Sequence, residues 1–232
     1  MKMKKLISVL FAVILLLAVV PCGMAESLEV PELDSVYPGQ EVRLNGKSDE
    51  AQRVFAYYGP GEEFGSAHGY KPYKQLGITA YCNEGGWVLI HLKYRTAKER
   101  YLYMPDTAFT SLGGVTIAGE VQYYDGVTVC NAPVRLGPSD EFISEDNLTS
   151  IPENTAIRVF FQENGYMFAE FRAGSGNVRM WIPDYAVAIS GTGSYTPAQR
   201  VRITPANEVG GEAAGAAETQ ETEQDEIICF CR

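Results

Sequence analysis

Two histidines and five cysteines are the residues from which a nucleophilic or metal-dependent site would have to be built. A cysteine hydrolase needs a thiolate beside an imidazole, and a zinc site needs several such ligands at close spacing. Cys82 alternates onto the side of Ile78 and Ala80, the position of a small buried hydrophobe. His91 falls on the opposite side of its segment from Val88 and Ile90, so it is expected to face solvent. His68 lies in a Gly/Ser-rich stretch with no partner near it in sequence. The chain contains no C-x-x-C pair, H-E-x-x-H, nucleophile elbow or phosphate-binding Gly-Lys loop. Surface solvation explains the acid pairs Glu62-Glu63 and Asp140-Glu141 more simply than catalysis or calcium binding. The expectation is therefore no catalytic residue, no metal and no cofactor.

Aromatic residues are the other informative set. Tyr57, Tyr58, Phe64, Trp87, Tyr101 and Tyr103 cluster at turns and strand ends, and Phe142, Tyr166 and Trp181 follow at similar places further on. Flat rings give contact area at low entropic cost and line many peptide-binding grooves. They also close cores that are too small to fill with aliphatics. Both readings stay open at this point, and Trp87 is the leading residue in either.

The elements that would position these rings are repeated. Tyr58-Gly59-Pro60-Gly61-Glu62-Glu63-Phe64 returns as Leu136-Gly137-Pro138-Ser139-Asp140-Glu141-Phe142, at an offset of 78. Ile78 to Cys82 returns as Ile157 to Phe161 at an offset of 79. Asn83-Glu84-Gly85-Gly86-Trp87 becomes Gln162-Glu163-Asn164-Gly165-Tyr166, and Leu102-Tyr103-Met104-Pro105-Asp106 becomes Met180-Trp181-Ile182-Pro183-Asp184. Conserved block order with a one-residue slip marks duplicated modules. After each Gly-containing turn, apolar residues alternate (Val88, Ile90, Leu92; Met167, Ala169, Phe171), the period of a half-buried strand. Asp125-Gly126, flanked by Val121 to Tyr124 and Val127 to Cys130, suits a type I′ hairpin turn. Short strands and tight turns in units of this size predict an all-β protein of small barrels.

A Gly-Pro-Gly turn after an aromatic, a Gly-Trp strand and a closing Arg-x-x-Tyr-x-Pro strand resemble bacterial SH3-like domains. The first copy has all three, in Tyr58-Gly59-Pro60-Gly61, Gly86-Trp87 and Arg100 to Pro105. The second departs from the pattern at Ser139 and Tyr166. The resemblance covers roughly Gln52 to Ala188 and implies two tandem SH3-like β-barrels. It places a peptide groove among the aromatics named above, with the first copy dominating any binding.

The flanks read differently. Lys2, Lys4 and Lys5 precede the apolar run Leu6 to Val20, and Gly23-Met24-Ala25 offers a signal-peptidase site, so a mature chain beginning at Glu26 is expected. Pro21 makes a poor lipoprotein site of Cys22. Cleavage takes the net charge from −10 to −13, because three lysines leave. Such a chain repels nucleic acid and anionic membranes. Four cysteines remain (Cys82, Cys130, Cys229, Cys231), which permit three pairings that sequence does not choose among. The predicted organisation is a signal peptide (1–25), an N-terminal extension (26–51), a first barrel (52–112), a linker (113–118), a second barrel (119–190) and a disordered acidic tail (191–232).

Two functions follow as expectations. One is a secreted, non-catalytic module binding cell-wall peptide or another extended peptide at the bacterial surface. The other is a structural or assembly protein whose barrels act as spacers or as a platform for an extracellular protein. Sequence leaves the oligomeric state open.

Overall fold

A computed structural model describes residues 28–45, 54–70, 77–93, 99–145 and 147–200, without the side chains of 68–70. The expected signal peptide with Cys22, the side chain of His68, and the acidic segment beyond Arg200 with Cys229 and Cys231 lie outside the described residues.

The chain is all-β, as expected. After one helical turn, α1 (Leu33–Val36), the first sheet takes β1 (Gln40–Val42), β2 (Val54–Tyr57), β3 (Ser66–Tyr70), β4 (Gly77–Glu84), β5 (Trp87–Lys93), β6 (Arg100–Pro105) and β7 (Thr116–Ala118). Its antiparallel order is β1-β4-β5-β6-β2-β3, and β7 lies parallel to β4. The second sheet takes β8 (Val121–Thr128), then, past the short ribbon of β9 (Ala132–Pro133) and β10 (Ser150–Ile151), β11 (Ala156–Glu163), β12 (Tyr166–Ala173), β13 (Gly176–Pro183) and β14 (Val187–Tyr195), in the order β13-β12-β11-β8-β14.

The repeat read from sequence reappears in the hydrogen bonds. Gly85 and Gly86 both have positive φ (62° and 95°), as do Asn164 and Gly165 (51° and 76°). Left-handed backbone at both positions of a two-residue loop is type I′ geometry, which glycine and asparagine tolerate. Trp87 then pairs with Pro105 and Tyr166 with Pro183, while Asp106 N–H donates to Gly86 and Asp184 N–H to Gly165, at 2.8 and 2.9 Å. A bulge interrupts β4 between Ala80 and Cys82 and β11 between Val159 and Phe161. One inserted residue flips everything after it to the other face. Ile78 and Ala80 therefore join an aliphatic cluster with Val88, Ile90 and Leu92, whereas Tyr81 and Cys82 turn into a second, aromatic cluster with Leu89. Cys82 is buried as expected, but against rings and not beside Ala80.

Both clusters draw on both copies, and the two sheets fall in one compact unit. The strand paths are open: neither sheet closes into a barrel among the described residues. Each copy instead receives a parallel partner from the segment that leads into the other. β7 precedes the second copy yet pairs with β4 of the first, Ile117 opposite Asn83. Glu32 precedes the first copy yet bridges Gln162, the repeat counterpart of Asn83, also in parallel. The leading segments are thus exchanged.

Other expectations are corrected by the same packing. Asp125-Gly126 is no hairpin turn; β8 runs straight through it, paired with β11 on one side and β14 on the other. A Cβ at Gly126 would sit 2.8 Å from the Ala188 carbonyl oxygen, so the glycine marks close approach of a neighbouring strand. Residues 26–51 and 113–118 supply β1 and β7 to the first sheet. Residues 191–200 are not disordered: β14 continues to Tyr195, and Arg200 N–H donates to Gly85 at 2.7 Å. Gly193 reads as part of a tail but serves packing, since a Cβ there would overlap the Tyr123 ring.

Candidate functional site

The two closing strands, β6 and β13, bring one position of the repeat to the junction twice. In β13 it is Arg179 and in β6 it is Tyr101. Arg179 lies between the apolar residues Val178 and Met180 and is only 4% exposed. Every N–H of its guanidinium is taken. Nη1 donates to Glu84 Oε2 (2.8 Å) and Tyr103 (3.0 Å), Nη2 to Glu84 Oε1 (3.2 Å) and Tyr195 (2.6 Å), and Nε to Glu170 Oε2 (2.9 Å). The Tyr195 hydroxyl donates in turn to Glu84, and the guanidinium lies 4.1 Å over the Phe160 ring. Burial alone would make the cation easier to deprotonate. Tyr103 and Glu84 outweigh that and hold it charged. Burial pushes the hydroxyls of Tyr103 and Tyr195 far above the usual phenol range, so they stay neutral.

The counterpart site has the same plan with different chemistry. Glu84 becomes Glu163, Glu170 becomes His91, Phe160 becomes Tyr81 and Arg179 becomes Tyr101. The Tyr101 hydroxyl is 3.5 Å from Glu163, its ring stacks on His91 at 4.4 Å, and Tyr81 stacks beyond it. With no guanidinium beside it, Glu163 is raised by burial and by Asp34. His91 is buried, not solvent-facing as its alternation suggested, and binds Glu99 at 2.8 Å. Desolvation lowers its pKa, against the pull of Glu99. The alternation failed because β5 is covered on both faces: Val88, Ile90 and Leu92 on one, Leu89 and His91 on the other.

Beside the ionic site is a cavity of ≈370 Å³, within the size range of small-ligand sites. Glu84, Arg179 and Tyr103 line its inner end, with Phe160 and Phe161; Tyr37 and Tyr124 stand on its walls. Thr116, Ile117, Glu120 and Gln122 line it too and are exposed. The Tyr37 hydroxyl is pushed up to about 12 by burial and by Cys82 and Glu84. A smaller cavity of ≈250 Å³ lies between Tyr58, Glu145, Leu148, Val178 and Met180.

Of the nine groove candidates, Tyr103 lines the larger cavity and Tyr58 the smaller. Trp87, Tyr101, Tyr103, Tyr166 and Trp181 are all buried in the aromatic cluster, with Tyr57 and Phe142 packed against it. Phe64 lies 5.6 Å from the Arg179 guanidinium. Trp87 has Tyr57 edge-on at 5.0 Å and Arg200 over its face at 5.3 Å. The structure assembles most of the candidates, but as the joint between the copies. Sequence reasoning missed Glu84, Arg179, Tyr37 and Tyr195. A signal existed for Arg179: an arginine flanked by apolar residues in a closing strand, where the other copy has tyrosine.

Burial pushes the Cys82 thiol well above the usual range, so the thiolate is suppressed. No group of three or more metal-ligating side chains is found among the described residues. No protein family, curated protein or solved structure matches the chain.

Proposed function

We propose that the protein is a secreted, non-catalytic binding module in which two SH3-like repeats form one body. It holds cell-wall peptide or another extended peptide in the ≈370 Å³ cleft where the copies meet. The cleft is the observation that carries this reading: it is lined by rings, opens through exposed residues and ends on a fixed polar group. Support for the SH3-like part is the shared register of the two copies and the motif residues of the first. The acidic chain makes adhesion by net charge to anionic wall polymers unfavourable, so a shaped cleft is the better route.

A structural or assembly role is the second reading, favoured by one fact: the aromatics that would line an SH3-type groove are used in joining the copies. Pull-down on purified sacculi separates the two. Thr116→Trp fills the cleft from an exposed position of β7. Binding by the parent and loss of it in a Thr116→Trp variant with unchanged melting temperature is the expected result. Equal binding by both would remove the cleft from consideration, and no binding by the parent would put the structural role first.

A further inference from the structure

The cleft's electrostatics narrow what it can hold, given that it is the binding site. Among the described residues that line it, Arg179 is the only cation. All of its donors are already bound within the protein, so it has none left for a ligand carboxylate or phosphate. Two carboxylates, Glu84 and Glu170, contact this one guanidinium, and a third, Glu120, stands at the exposed part of the cleft. The balance is negative. Glu84 Oε2 accepts from Arg179 Nη1, and a carboxylate oxygen has room for a second donor. The rings of Tyr37 and Tyr124 line the same cleft, and so does Ile117, which is 75% exposed. An exposed apolar residue at the mouth, rings along the walls and a carboxylate within match a side chain with an alkyl stem and a charged donor tip.

We propose that the cleft recognises a primary ammonium on a peptide side chain of lysine type, with the stem against Ile117 and the tyrosine rings and the ammonium toward Glu84. The rings add attraction for a cation, and an anionic or uncharged tip gains neither contribution. Recognition of this kind also explains how an acidic protein would select a basic group presented within a peptide.

The test titrates the full mature chain with the peptide Ala-Ala-Lys-Ala-Ala and with versions carrying ε-acetyl-lysine, norleucine or glutamate at the centre. The lysine peptide should bind at least tenfold more tightly than the other three. Its affinity should fall severalfold between low and high salt, and fall severalfold in Glu120→Gln, an exposed change that spares the buried ion pair. Thr116→Trp should abolish it. Equal binding of the norleucine and lysine peptides, or no binding of the lysine peptide up to millimolar concentration, overturns the ammonium assignment. The cleft itself is judged separately, by whether Thr116→Trp removes binding to sacculi.

Discussion

Tyr101 and Arg179 are one position of the repeat, and each sends its main-chain N–H across to the other copy: Arg179 to the carbonyl of Tyr58, Tyr101 to that of Leu136, both at 2.7 Å. Tyr58 and Leu136 are themselves counterparts. The junction therefore has the reciprocal pattern of a twofold dimer interface, in which residue i meets j and j meets i, built within one chain. The parallel bridges of Glu32 with Gln162 and of β7 with β4 obey the same exchange. The two copies are halves of one body and not beads on a linker.

This exchange predicts that neither half folds alone. A chain ending at Leu112 loses β7 and the second-copy partners of Tyr101 (Phe142, Trp181) and Tyr103 (Phe168, Arg179), and a chain beginning at Gly113 loses the strand-like partner at Glu32. Each leaves the aromatic cluster open, an exposed apolar patch that favours association or aggregation. Each fragment should lack a sharp near-ultraviolet circular dichroism spectrum. A mixture should recover it and elute as a one-to-one complex. A fragment that folds cooperatively by itself would show that the exchange is not required.

A second prediction concerns the buried pair. Arg179→Met strands the Glu84 carboxylate, which is 3% exposed, and should cost about 3–5 kcal/mol in urea unfolding. Combining it with Glu84→Leu removes the stranded charge, so the double variant should be more stable than the sum of the single losses implies. Additive losses would mean that the two side chains do not interact.

How much of this was legible beforehand follows from where the information sits. Asn164-Gly165 and Gly85-Gly86 announce hairpins because local backbone geometry demands those residues, and the offset of 78 fixes which strands correspond. The bulges at Tyr81 and Phe160 carry no residue signature, so the alternation that placed Cys82 beside Ala80 was bound to mislead. The crossing of Glu32 and Ile117 is long-range pairing, which no local pattern encodes. Aromatic enrichment alone leaves groove and core open, because the burial of these rings depends on a surface supplied by the other half of the same chain.

His91 supplies a pH dependence whose sign can be worked out. Desolvation lowers its folded-state pKa below the ordinary 6.5, despite Glu99, and Lys93 adds to the lowering. The unfolded chain therefore binds the proton more readily, and stability is lost as pH falls below about 6.5. Glu163 works in the opposite sense: its raised pKa means that acidification relieves a buried charge. The melting temperature of the parent minus that of His91→Gln isolates the histidine and should shrink as pH falls from 7 to 5. A difference that stays flat or grows would show that Glu99 dominates and holds the imidazole protonated.

The glycine turns give the sharpest comparison between the copies. A Cβ at Gly59 would overlap the Phe64 ring, and one at Gly137 would overlap the ring of Phe142, its counterpart. Each ring is wedged at the junction, Phe64 near Arg179 and Phe142 near Tyr101, so it has little freedom to retreat. Gly59→Ala and Gly137→Ala should each destabilise by about 1–3 kcal/mol, the usual cost of overpacking a filled site. Gly61 belongs to the same Gly-Pro-Gly turn, yet its φ of 175° is extended backbone open to any residue. An added Cβ there meets only the flexible, exposed carboxylate of Glu63. Ser139 already occupies the corresponding place in the second copy. Gly61→Ser should therefore leave the urea midpoint almost unchanged while Gly59→Ala lowers it. If the two substitutions cost the same, the turn is sensitive as a whole and the close approach of the phenylalanine ring is not what requires glycine.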